Sequence, residues 1–169
     1  MISFFFLIMI LKQRILISND LLDMNLNKHI LNKLKDISVN ECSKDNGYVL
    51  KVNKLIKIVD NYISNVNSEL IFIVEYDADT VKPAINDIYE DSVFLVLRNG
   101  IFFNIKNKFK VLIPPDALLD YMFDADNKTY IHQDNKTVLK SGSQCKIQIT
   151  GVRYMNRKFD CFGKIIHTL

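Results

Sequence analysis

The chain has 169 residues, 49% of them hydrophobic and 24% charged, with 22 Lys and Arg against 19 Asp and Glu and no Trp. That length holds one domain or two small ones with enough apolar surface for a core, which excludes a disordered tail or a collagen-like rod. Three widely spaced cysteines, Cys42, Cys145 and Cys161, contain no C-x-x-C, which excludes a zinc knuckle and a secreted disulfide framework and favours a reducing compartment with free thiols.

Charge divides unevenly along the chain. Residues 1–80 carry nine Lys and Arg against ten Asp and Glu, whereas residues 81–169 carry thirteen against nine. The second half is the candidate polyanion binder. The histidines His29, His132 and His167 lie far from one another and at no ligand spacing from a cysteine, so neither a metal nor a cofactor is expected.

In chain order, Met1 to Leu11 is an apolar run interrupted only by Ser3. No basic residue precedes it, Lys12 and Arg14 follow it, and it is too short to span a bilayer as a helix. It reads as an extension over residues 1–8, with Met9 as a working start and Ile10 to Ile17 as the first strand; an export or membrane role is the alternative. From Asp20 to Ile37, Leu22, Leu26, Ile30, Leu34 and Ile37 recur every three or four positions, which predicts an amphipathic helix. Gly47 to Val52 and Glu69 to Tyr76 read as strands separated by an Asn- and Ser-bearing stretch.

The second half reads as all-β. Asp87 to Arg98 and Gly100 to Lys106 are strands joined at Asn99-Gly100, a strong hairpin signal. Lys108 to Ile113 follows and stops at Pro114-Pro115. A helical turn is expected at Ala117 to Tyr121, then strands from Gln144 to Gly151 and from Lys158 to Ile166. Five such strands match the OB-fold. The fold class is therefore an α+β domain over residues 1–80 followed by an all-β OB barrel over 81–169.

Alternation places Val93, Leu95 and Leu97 inside the barrel with Phe94, Val96 and Arg98 outside. On the next two strands it puts Ile101, Phe103, Ile105, Phe109, Val111 and Ile113 inside. Phe94, Phe102, Arg98, Lys106, Lys108 and Lys110 then share one outer face. Bases stack on aromatics and phosphates follow cations on such faces, so these six residues are the candidate single-stranded RNA site; the alternative is an ordinary solvated wall. Cys145 is expected inside, beside Ile147 and Ile149. Asp77 with Asp79, and Glu90 with Asp91, have no partner His, no phosphate loop is present, and Cys42 has no histidine near it in sequence. The chain does not read as an enzyme.

The order of motifs resembles a known family. The helix leads into VNECSKDNGYVLKV at Val39 to Val52, SELIFIVEYDADTVKP follows from Ser68 to Pro83, and NGIFFNIKNKFKVLIPPDALLDYMFD opens the barrel half. This resembles the larger stalk subunit of multisubunit DNA-directed RNA polymerases: the seventh subunit of RNA polymerase II and its archaeal and polymerase III counterparts. Two positions depart from the family's pattern, Asn40 for a glycine before the tip cysteine and Asn99 for an aromatic before Gly100. The resemblance implies a tip domain that docks on the polymerase core through Ser43, Lys44, Asp45, Asn46, Gly47 and Tyr48, and a barrel of the S1 type near the RNA exit path. It also implies heterodimerisation with a small helical subunit, contact with nascent RNA through Phe102, and no membrane partner. Location would be the nucleus in a cell, or the cytoplasm or virion for a large DNA virus, which richness in Ile, Asn and Lys also suits. A free-standing S1-type RNA-binding module in translation or RNA decay is the second reading.

Overall fold

The computed structural model describes residues 7–39, 41–64, 69–134 and 136–169. Asn40 and Ser68, both within the resemblance, lie outside them, as do residues 1–6 of the expected extension. The chain divides into two compact units between Lys82 and Pro83. Among the described residues it is mostly β with one α-helix, and no helix is long and apolar enough to cross a membrane.

The first unit is a four-stranded antiparallel sheet in the order β1 (Leu7–Ile17), β4 (Leu70–Val81), β3 (Gly47–Ile63), β2 (Cys42–Ser43), with helix α1 (Leu26–Ser38) on one face. Leu7 and Ile8, expected in an extension, already belong to β1 and pair with Thr80 and Asp79. The helix starts six residues later than its apolar spacing suggested. Asn19–Leu21 forms a separate 3-10 turn. The Asp23 carboxylate then accepts the N–H of Asn25, the residue just before the helix, at 2.7 Å and meets the ring of His29 in the helix at 3.2 Å, which ties the turn to the start of the helix. The Asn25 N–H bond leads in holding the Asp23 carboxyl below the usual carboxylate range. Met24 and Leu22 are consequently exposed, and Ile30 and Leu34 carry the buried stripe. They pack on Leu11, Ile15 and Ile17 of β1, Val49 and Val52 of β3, and Phe72, Val74, Tyr76 and Ala78 of β4.

The stretch after Val52 is strand, not loop. Its pairing with β4 slips at Val49/Lys51, Val52/Lys54, Leu55/Lys57 and Ile58/Asp60, so one residue in three is bulged out of the ladder. Bulges add twist and shift which face a side chain meets. Val49, Val52, Leu55 and Ile58 therefore reach the helix side at intervals of three, a period belonging to neither a regular strand nor an α-helix. Lys51, Lys54 and Lys57 stand opposite Asp79, Asp77 and Glu75, with Lys57 Nζ 3.2 Å from Glu75. The Asn53 amide donates to Asp77 and Asp79 at 3.3 and 2.9 Å, so these carboxylates serve the ladder.

The second unit is built on a closed five-stranded barrel. Its strands are β5 (Ile88–Leu97), β6 (Gly100–Ile105), β7 (Phe109–Ile113), β11 (Gln144–Met155) and β12 (Lys158–Thr168), in the order β5-β6-β7-β12-β11 and back to β5. All contacts are antiparallel except the parallel pair β7 with β12. Ile101, Phe103, Ile105, Val111, Ile113, Cys145, Ile147 and Ile149 fill the interior. Gly100 opens β6 with φ of 130°, and a Cβ there would collide with the Ile113 carbonyl oxygen, so only glycine fits.

Two expectations change in this unit. Leu95 and Leu97 face out and Val96 is buried, because the ladder with β6 slips between Val93 and Leu95 and the bulge at Phe94 inverts the alternation beyond it. The helical turn is at Pro115–Ala117, where proline suits the start of a turn of helix. It is followed by a three-stranded meander, β8 (Tyr121–Asp124), β9 (Thr129–His132) and β10 (Val138–Leu139).

Candidate nucleic-acid interface

Register around the barrel wall brings side chains from four strands into rows. Leu95 lies opposite Phe102, Phe102 opposite Leu112, and Leu112 beside Phe162. Phe162 faces Gly151, where an added Cβ would stand 3.7 Å from the Phe162 ring. This apolar row faces outward: Phe162 is 45% exposed, Leu95 42%, and the bulged Phe94 51%, while Phe102 and Leu112 are half-buried. A second row places Asn104 opposite Lys110, Lys110 beside Asp160, and Asp160 opposite Arg153. Arg153 Nη2 is 3.2 Å from Asp160, and Lys110 Nζ stands 5.9 Å from the Phe94 ring centroid, within cation–π range.

The six predicted residues do not form one patch. Phe94, Phe102 and Lys110 belong to the two rows just described. Arg98 lies in the turn between β5 and β6, at one end of β6, whereas Lys106 and Lys108 lie in the turn after β6. Six strand residues separate those ends by about 20 Å. Lys106 and Asn107 both adopt left-handed backbone, φ 51° and 56°, as a tight hairpin requires. Burial holds the Lys106 ammonium below the usual lysine range.

Two groups were missed by reading strands singly. Phe162 alternates outward between the buried Cys161 and Gly163, a pattern visible in the sequence; that it sits next to Leu112 and one strand from Phe102 was not. Likewise, parallel pairing of β7 with β12 puts the hairpin tips before both strands at the same barrel end. Exposed Arg157 and Lys158 therefore join Lys106 and Lys108 in a basic rim.

The hairpin in the first unit is a turn over Lys44, Asp45 and Asn46 between Ser43 and Gly47. The Asn46 N–H donates to Ser43 Oγ at 3.0 Å and Lys82 Nζ to the Asp45 carbonyl at 3.2 Å. Gly47 has φ of 74°, and a Cβ there would run into the Val81 carbonyl oxygen. Tyr48 is only 7% exposed. Gly47 and Tyr48 are thus inward supports of the turn, brought there by the close approach of this strand to the end of β4. Lys44 and Asp45 form its exposed crest, with Ser43 and Asn46 half-buried on its shoulders.

The cysteines differ in environment. Cys145 faces the barrel interior beside Ile147 and Ile149, and burial pushes its thiol up to about 11. Burial first, then the negative charges of Asp160 and Asp87, push Cys161 up to about 12. Cys42 is half-buried, and burial raises its thiol with a partial offset from a hydrogen bond to Tyr48. Since the thiolate is the nucleophile, a maleimide probe at pH 7.5 should modify Cys42 in the folded protein and the other two only after unfolding. Labelling of Cys145 or Cys161 at the Cys42 rate would show that the barrel is open.

Of the acidic residues weighed for catalysis, Glu90 pairs with Lys146 at 3.2 Å and Asp91 accepts the Ser92 N–H at 2.7 Å. Among the described residues no group of three or more His, Cys, Asp or Glu is placed to hold a metal ion. No protein-family model matches the chain, and no curated protein sequence matches it.

Proposed function

We propose that the chain is a non-catalytic stalk subunit of a multisubunit DNA-dependent RNA polymerase, docking on the core through the Lys44–Asp45 crest and holding nascent single-stranded RNA on its barrel. The observation that carries the reading is the barrel's strand order, first-second-third-fifth-fourth with a parallel closure between third and fifth, together with the aromatic row on its outer wall. We read this as an OB barrel of the S1 type, whose second and third strands offer a face to oligonucleotides. Phe102, Phe162 and Phe94 offer stacking surfaces that accept any base, and Arg98, Lys110 and the basic rim offer phosphate contacts. Stacking and phosphate contacts read no base edges, so binding of this kind would be nearly independent of sequence, as suits a transcript in transit.

The first unit favours a stalk subunit over a free-standing module. β1 is an edge strand, and Leu7, Ile8 and Ile10 on it are 54%, 71% and 67% exposed. An open apolar edge of this kind invites a protein partner, here a small helical subunit. Purification of the tagged protein from its native source should bring down polymerase core subunits and that partner. A monodisperse monomer without polymerase subunits overturns the stalk reading; one that still binds single-stranded RNA supports the free-standing module instead.

A further inference from the structure

Tyr130 sits in the middle of β9 between Phe123 of β8 and Leu139 of β10, and it is only 3% exposed. A buried tyrosine must find a partner for its hydroxyl. Here the hydroxyl lies 3.1 Å from the Leu97 carbonyl oxygen and 3.0 Å from the Arg98 carbonyl oxygen, and its single proton is shared between them. Those two carbonyls belong to the peptide planes on either side of the Arg98 Cα. Peptide planes are rigid, so holding both fixes the two backbone dihedrals of Arg98. The turn it holds is otherwise the kind of exposed connection where motion concentrates. The turn lies beyond Gly100, at the end of β6 away from Asn104 and its partner Lys110, so Arg98 and Lys110 occupy positions on opposite sides of Phe102 along the strand.

We propose that Tyr130 is a positioning residue that aims Arg98 at the backbone phosphates of a strand lying along the Phe102–Phe162 row. The meander between β7 and β11 is then a buttress for the turn at the far side of that row. This rests on the RNA reading above. The Arg98 turn thus has two determinants: Gly100 next to it, with φ of 130°, and the hydroxyl of a side chain more than thirty residues away.

The test compares the unaltered full chain, Tyr130→Phe, Arg98→Ala and the double variant for binding of a labelled oligouridine across a range of salt. Arg98→Ala should lower the log–log salt slope by about 0.7, one phosphate on a single strand. Tyr130→Phe should weaken binding about two- to tenfold, the effect of one hydrogen bond, and should have no effect once Arg98 is alanine. Equal weakening in both backgrounds overturns the proposal and leaves Tyr130 as a structural residue only. Absence of binding by the unaltered chain overturns the RNA reading itself and is distinguished because it does not depend on residue 130. As a check independent of whether Tyr130→Phe folds, backbone order parameters of Arg98 and Asn99 in the unaltered protein should lie near the rigid value of about 0.85. Values below about 0.6 overturn the proposal.

Discussion

Phe102→Ala is expected to weaken single-stranded RNA binding by about 1–3 kcal/mol while leaving the dependence on salt nearly unchanged, because lost stacking releases no counterions. The opposite behaviour is expected when Lys106, Lys108 and Lys110 are all replaced by alanine: the slope of log affinity against log salt should flatten by about 2, from ~0.7 per phosphate. The position of these lysines refines the expectation. Lys110 stands within cation–π range of Phe94, so its replacement alone should affect both affinity and slope, whereas Lys106 and Lys108 at the rim should act through the slope. Titration of a labelled oligonucleotide at several salt concentrations reads both effects. If the phenylalanine variant and the triple variant bind like the parent, this wall is solvated surface and the barrel has a structural role.

The neighbouring residue should show the converse. Phe103 is fully buried among the inward side chains of the barrel, so Phe103→Ala should cost about 3–5 kcal/mol through lost transfer energy and the cavity left behind. That is a large part of the stability of an ordinary domain. Phe102→Ala, on the half-buried outer side, should cost roughly 1 kcal/mol. Urea denaturation followed by circular dichroism measures both. A large loss at Phe102 with a small one at Phe103 would mean that β6 is registered the other way round.

Local chemistry made some of the fold legible. The Asn99-Gly100 hairpin, the stop at Pro114-Pro115 and the inward sets of β6 and β7 were all readable, because a two-residue period and turn-forming residues act within a few positions. The inward placement of Cys145 beside Ile147 and Ile149 was readable for the same reason. Where a bulge intervened, the same rule misled. Phe94 is followed by an inverted face in β5, and β3 repeats the effect four times, so its apolar residues fall at a spacing that neither a regular strand nor an α-helix shows.

The candidate interface divides along the same line. Residue types and alternation on single strands singled out Phe94, Phe102 and the lysines, since facing in or out depends on local backbone geometry. Which of them are neighbours depends on pairing between strands remote in sequence. Only the closed barrel, with β12 beside β7, sets Phe162 in the Phe102 row and gathers Arg157 and Lys158 with Lys106 and Lys108. Burial of Tyr48 against the end of β4, and the reach of Tyr130 to the Arg98 turn, are likewise long-range contacts. Chain order and composition determine the elements and the kind of chemistry they carry; the tertiary structure decides adjacency, because hydrogen-bonded register between distant strands is a property of the whole ladder and of no segment alone.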